Sequence, residues 1–313
     1  MQNPFVDRLI ERAQERDSRV IVGLDPNLEV LPNFLQERLR REPTETNIEE
    51  ILFEFNVAVI EASAAEAVGF KPQAAFYEQY GLAGMKALYR TLTRLREMGE
   101  LILLDAKRND VTHTAGAYAT AWLGAHHPIF GTPNPWRADA LTINGYLGAD
   151  GIRPFMQVNP EAGLFVLAKT SNPSSGELQD LLLQDGFSVA EKMAQLAAEW
   201  GATAMGECGY ANIGIVVGAT YPEQAARLRA IAPRAPFLMP GIGAQGGSLQ
   251  AVSAAAGADQ LGAYAASSRG VMYPFAPAAL SGPDWRDAAR QAISRAAREL
   301  RLAIRRVLAS QGG

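Results

Sequence analysis

Cysteine is nearly absent from the 313-residue sequence. Cys208 stands alone, which excludes an intrachain disulfide framework and any multi-cysteine zinc site and suits a reducing compartment, so a cytoplasmic location is expected. A lone thiol of this kind is read as buried filler rather than as a nucleophile. Histidine is scarce too. His113, His126 and His127 are the only three, adjacent histidines rarely converge on one ion, and no carboxylate spacing accompanies them, so no metal site is expected. Nowhere do about 18 apolar residues run together, and the first twenty residues alternate charges without a signal-peptide core, so neither membrane insertion nor secretion is expected. Charge of one sign is also missing. Lys and Arg total 29 against 33 Asp and Glu, a net charge of -4, which gives nucleic acid no electrostatic reason to bind. Finally, no linker rich in Pro, Gly or Ser divides the chain and no fixed-period repeat runs through it, so residues 1–313 are read as one domain.

What is present is a 48% hydrophobic composition and a regular alternation of short and long apolar patterns. About eight short runs, bounded by Gly, Pro or polar turns, read as buried strands: 20–25, 67–72, 100–107, 138–144, 163–170, 212–218, 235–241 and a weaker 260–267. Helical periodicity lies between most of them. The clearest stretches are 47–67, with Ile48, Ile51, Leu52, Phe55, Val59 and Ala62 on one face, and 76–98, with Leu82, Met85, Leu88, Leu92 and Leu95; further ones cover 187–200, 222–231 and 248–256. Near-continuous apolar strands imply burial on both faces, and strand-helix alternation implies parallel connections. Eight such units, with no Gly-x-Gly-x-x-Gly after the first strand, favour an α/β (β/α)8 barrel over an open dinucleotide-binding sheet. Segments 29–46 and 125–136 exceed ordinary barrel connections and are read as rim insertions. Residues 283–308 read as a closing helix with Trp285, Ile293, Leu300, Ile304 and Val307 inward. Its seven arginines are interspersed with Asp284, Asp287 and Glu299, which makes a solvated face.

In such barrels chemistry gathers at the C-terminal ends of the strands. The first strand ends in Asp25, the second carries Lys71, and the third delivers Asp105, Lys107 and Asp110. Any one of these fits an ordinary ion pair, but five on successive strands point to a site. Strand alternation sends Asp105 and Lys107 to the same side, and with Asp110 just beyond, carboxylates would flank one ammonium and favour its protonated form. That suits an acid catalyst beside a carboxylate that must leave. A Gly-rich turn at 239–248 and Arg269 after the eighth strand fit the usual phosphate site of these barrels. Between them a polar loop at 167–179 offers Ser171, Asn172, Ser174 and Ser175 to a heterocyclic base.

DAKRNDVTHT resembles the Asp-x-Lys-x-x-Asp signature of the orotidine 5'-phosphate decarboxylase family, and VGLDP, FKPQAAFYEQYG, KTSNPSSG, PGIGAQGG and SSRG extend the similarity over nearly the whole barrel, towards the longer, mostly bacterial branch. The resemblance implies cofactor-free decarboxylation of orotidine 5'-monophosphate to uridine 5'-monophosphate. It implies Lys107 as the proton donor to C6, Asp105 facing the departing carboxylate, and Lys71 and Asp25 holding the ribose and the charge network. It further implies a homodimer in which Asp110 and Thr114 reach the neighbouring subunit's site, Ser171 on the pyrimidine, and Gln245, Gly246 and Arg269 on the phosphate. The loop reads Thr170-Ser171-Asn172-Pro173 where the compact branch commonly has a Met-Ser-His-Pro type, which leaves Ser171 and Ser174 both open as the base contact. The rival readings are a sugar-phosphate decarboxylase or Schiff-base aldolase of the same barrel type, and a non-catalytic phosphosugar-binding or nucleotide-binding barrel.

Overall fold

The computed structural model describes residues 3–242 and 247–310. All eight anticipated strands form: β1 (Val20–Leu24), β2 (Gly69–Pro72), β3 (Leu103–Arg108), β4 (Ala140–Ile143), β5 (Gly163–Lys169), β6 (Ile213–Val217), β7 (Phe237–Pro240) and β8 (Ala263–Ser267). They pair in parallel in the order β2-β1-β8-β7-β6-β5-β4-β3. Parallel bridges Phe70 to Ile102 and Gln73 to Asp105 bring the two remaining edges together, so the sheet closes into a (β/α)8 barrel.

Two apolar layers follow from strand alternation. One set of side chains, including Val22, Leu24, Phe70, Leu104, Leu141 and Val166, packs outwards against the helices. The other set, including Ile21, Leu103, Ala140, Phe165, Leu238 and Tyr264, fills the barrel. Its lower end is plugged by a helix that the charged N-terminal sequence had concealed. Phe5–Glu15 turns Phe5, Val6, Leu9, Ile10 and Ala13 onto the barrel interior, and Phe5 meets Phe165 edge-on at 6.1 Å. The lower end of the interior is therefore closed by apolar side chains, and a cavity lies at the strands' C-terminal ends.

The helix expected over 76–98 is broken. Ala75–Glu78 and Gly81–Glu97 are separate, with Gly81 at φ +57°, a left-handed conformation suited to glycine. Leu82, expected on the buried face, is 72% exposed. At 3.6 residues per turn it lies about a third of a turn from the stripe of Leu88, Leu92 and Leu95. The two insertions go to opposite ends. Segment 29–46 contains the helix Asn33–Arg41 and sits beside the open mouth, where the Phe34 N–H donates to the Leu280 carbonyl. Segment 125–136 follows the helix Thr112–Leu123 and lies at the closed end, where Asn134 Nδ2 donates to the carbonyls of Thr120, Ala121 and Gly124. The last helix, Trp285–Ala309, buries Trp285, Ile293, Ile304 and Leu308 and leaves Leu300 and Val307 half-buried. Four of its arginines pair with carboxylates of neighbouring elements: Arg286 with Glu54, Arg290 with Glu61, Arg301 with Glu66 and Arg305 with Asp17. Among the described residues no helix is long and apolar enough to cross a membrane.

Candidate active site

A cavity of about 1000 Å³ occupies the open mouth. Its centre is Asp105, whose side chain is 9% exposed and accepts four hydrogen bonds. Lys71 Nζ (2.7 Å) and Gln73 Nε2 (2.9 Å) donate to Oδ2; Lys107 Nζ (2.7 Å) and the Thr142 hydroxyl (2.8 Å) donate to Oδ1. A carboxylate offers about four lone-pair positions, so this one is saturated. Burial alone would raise the Asp105 carboxyl, but the charges of Lys71 and Lys107 outweigh it and hold the group well below the ordinary carboxylate range. Burial alone would likewise lower Lys71, which Asp105 and then Asp25 outweigh, leaving it above the ordinary lysine value. The result is a fixed anion between two ammoniums, one buried and one facing the cavity: the Lys71 side chain is 6% exposed and that of Lys107 is 44% exposed.

Asp105 and Lys107 both reach the cavity, as alternation predicts, yet the strand between them is not regular. The register against β4 slips between Leu104 and Arg108, and Lys107 takes φ +50°. A left-handed conformation costs a residue with a side chain about 1–2 kcal/mol, so neighbouring contacts must hold it. The N–H groups of Ala106 and Lys107 both donate to Thr142 Oγ1, at 3.0 Å each.

The other expected residues are distributed as follows. Asp25 lines the cavity; its Oδ1 is buried and has no hydrogen-bond partner among the described residues. Arg269 lines the cavity beyond β8, exposed, at the start of the short helix Arg269–Met272. Gly23 lets this wall approach β1, because a Cβ there would fall 1.9 Å from Ser268 Oγ. Ser171 and the exposed Asn172 line the cavity, while Ser174 is not part of the lining. Their loop is clasped at its base: buried Lys169 pairs with Asp180 (2.7 Å), the Thr170 N–H donates to Gln179 Oε1 (2.9 Å), and Gln179 Nε2 donates to Thr170 Oγ1 (2.8 Å). Gln245 and Gly246 lie outside the described residues.

Asp110 does not flank Lys107 in the chain, contrary to expectation. Its Oδ1 accepts from the N–H of Val111 at the start of helix Thr112–Leu123, and it makes no ion pair with Lys107, whose carboxylate partner is Asp105. Neither Asp110 nor the exposed Thr114 lines the cavity. Two site residues escaped the sequence reading. Gln73, two positions beyond Lys71 and just past the end of β2, reaches the same carboxylate oxygen; Thr142 interrupts an otherwise apolar strand. Both were signals of the same kind as the charges, in neutral side chains.

A closed parallel barrel with an apolar interior and a cavity carrying charged groups at the C-terminal ends of its strands is the architecture of (β/α)8 enzymes. The chain belongs to the orotidine 5'-phosphate decarboxylase / HUMPS family, whose model matches residues 18–278. It is similar to the orotidine 5'-phosphate decarboxylase of Caldicellulosiruptor bescii, with 40% identity over 276 residues covering 87% of this chain and 90% of the relative. The Rhodopirellula baltica enzyme of the same name is 41% identical over 295 residues, 92% of this chain and 96% of the relative. Among solved structures, Leishmania donovani OMP decarboxylase superposes with a TM-score of 0.73 at 33% identity, covering 97% of this chain and 98% of that one.

Proposed function

We propose that this chain is an orotidine 5'-monophosphate decarboxylase, forming uridine 5'-monophosphate and carbon dioxide in pyrimidine biosynthesis without metal or organic cofactor. The observation that carries the reading is the row Lys71–Asp105–Lys107, fixed in the wall of a cavity that Arg269 also lines. The bond between C6 and the carboxylate breaks, its electron pair stays on C6, and Lys107 delivers the proton that fills that position; solvent then reprotonates the lysine. Asp105 is saturated and anionic, so it acts as a fixed negative charge beside the departing carboxylate, and Lys107 stabilises the charge that develops on C6. Apolar Leu167, Val216, Leu238 and Ala266 line the same cavity and keep the local dielectric low, where such charges act most strongly. Arg269 with Gln245 and Gly246 would hold the phosphate, Ser171 the base, and Asp25 with Lys71 the ribose. That remote binding orients the ring.

An aldolase reading needs a lysine with lowered pKa, whereas Lys71 is raised. A non-catalytic binding barrel would have no use for a buried anion between two lysines. Asp110 and Thr114, which do not reach their own cavity, fit a cytoplasmic homodimer in which each completes the partner's site. The assay is decarboxylation of orotidine 5'-monophosphate, followed by absorbance, with and without chelator. Chelator-resistant turnover is expected, and absent turnover would overturn the reading. For the shared site, inactive Lys107→Ala and Asp110→Ala proteins refolded together should regain about a quarter of wild-type sites, because one site of each mixed dimer carries neither lesion. No recovery despite mixed dimers would confine the site to one chain.

A further inference from the structure

The Thr142 hydroxyl joins the two irregularities of the site, the saturated carboxylate and the left-handed lysine. Its oxygen has one hydrogen and two lone pairs. The hydrogen goes to Asp105 Oδ1 and the lone pairs to the N–H groups of Ala106 and Lys107, so all three capacities are used within the protein. Thr142 is 1% exposed and lies on β4, the neighbour of β3, facing the point where the β3 register slips. A hydroxyl so engaged has nothing left for a substrate, although it stands in the cavity wall.

We infer that Thr142 is a positioning residue: it pins the backbone of Ala106 and Lys107 in the conformation that aims the Lys107 ammonium, and fixes the Asp105 oxygen to which that ammonium pairs. This rests on the proposed decarboxylase reading only for its kinetic consequence. The Gln73 side chain makes the matching contact to Oδ2, and its backbone bridges Asp105 rather than Ala106 or Lys107, so it serves Asp105 alone.

Thr142→Val keeps shape and volume and removes only the hydroxyl's hydrogen bonds; Thr142→Ser keeps the hydroxyl. Misplacing a reacting group by about 1 Å can cost about a hundredfold in rate, so kcat of Thr142→Val should fall about ten- to a hundredfold. KM and the affinity for uridine 5'-monophosphate should stay within about twofold, since the change acts on geometry and not on nucleotide contacts. Thr142→Ser should recover most of kcat. Independently of turnover, the amides of Ala106 and Lys107 should exchange hydrogen at least about tenfold faster in Thr142→Val than in wild type or Thr142→Ser. Unchanged exchange would overturn the positioning role whatever the reaction is. Equal losses in kcat and nucleotide affinity would make Thr142 a substrate contact instead, and failure of Thr142→Ser to recover kcat would reduce it to methyl packing. Wild-type protein inactive on orotidine 5'-monophosphate, with the exchange difference intact, would sink the decarboxylase reading and leave the positioning role standing.

Discussion

The two halves of the barrel mouth are built differently. On β1–β4 the strands themselves carry the polar groups: Asp25 at the end of β1, Lys71 on β2 with Gln73 just beyond it, Asp105 and Lys107 on β3, Thr142 on β4. On β5–β8 the strands present Leu167, Val216, Leu238 and Ala266, and apart from Ser267 at the last position of β8 the polar groups stand beyond the strands: Thr170, Ser171 and Asn172, then Ser268 and Arg269. A strand holds a side chain more rigidly than a loop, and a buried ion row must be held rigidly because each charge is expensive without its partners. The comparison separates a half whose charges are fixed on strands from a half whose polar groups stand beyond an apolar floor, the half to which the proposed function assigns the base and phosphate.

Four substitutions or conditions break this contrast in different places. Asp105→Ala should have the largest effect: it leaves Lys71 buried without its nearest anion, so urea unfolding should show a loss of about 3–5 kcal/mol along with turnover. A loss under about 1 kcal/mol would mean that the row is not structurally coupled. Arg269→Ala, on the loop half, should leave stability unchanged and lower kcat/KM for the phosphorylated substrate about ten- to a hundredfold, with little effect on the unphosphorylated nucleoside. Equal losses for both would move Arg269 off the phosphate. Asp180→Asn loosens the clasp under Ser171 without touching the cavity, so KM should rise a few-fold, roughly two to five, with kcat nearly constant. A change confined to kcat would place the clasp in the chemistry.

The smallest effect concerns pH. The Asp105 pKa is depressed in the folded chain, so its share of stability is complete above about pH 4 and is lost as acidification approaches the folded value. The Lys71 pKa is raised, so its share is complete below about pH 10 and is lost only above that. The stability difference between wild type and Asp105→Asn should therefore be flat from about pH 5 to 9, narrow in acid, and narrow again above about pH 10. A steady slope within that window would contradict the charge assignment.

The same contrast explains what could be read without a structure. A charge ending an apolar strand is conspicuous, and Asp25, Lys71, Asp105 and Lys107 all stand in the cavity wall as expected. The strands were equally plain because burial on both faces leaves uninterrupted apolar runs. Asp110 lies in a turn, which unlike a strand imposes no alternation, and its carboxylate accepts from the adjacent Val111 N–H instead of pairing with Lys107. Thr142 passed unnoticed because its importance lies in three simultaneous hydrogen bonds across two strands, which spacing along one strand does not reveal. The N-terminal helix was hidden by its charges. Its outer side carries Glu11, Gln14 and Glu15 into solvent, and only the barrel bore shows why Phe5, Leu9 and Ala13 must be apolar.

The division of labour between the halves is tested most directly by Lys107→Ala, with turnover of orotidine 5'-monophosphate and calorimetric binding of uridine 5'-monophosphate measured on the same preparation. Removing a general acid typically costs about a hundred- to ten-thousandfold, so turnover should fall at least that far while product affinity stays within about threefold of wild type. A variant that keeps a tenth of wild-type turnover, or that loses product affinity in step with turnover, would contradict the account.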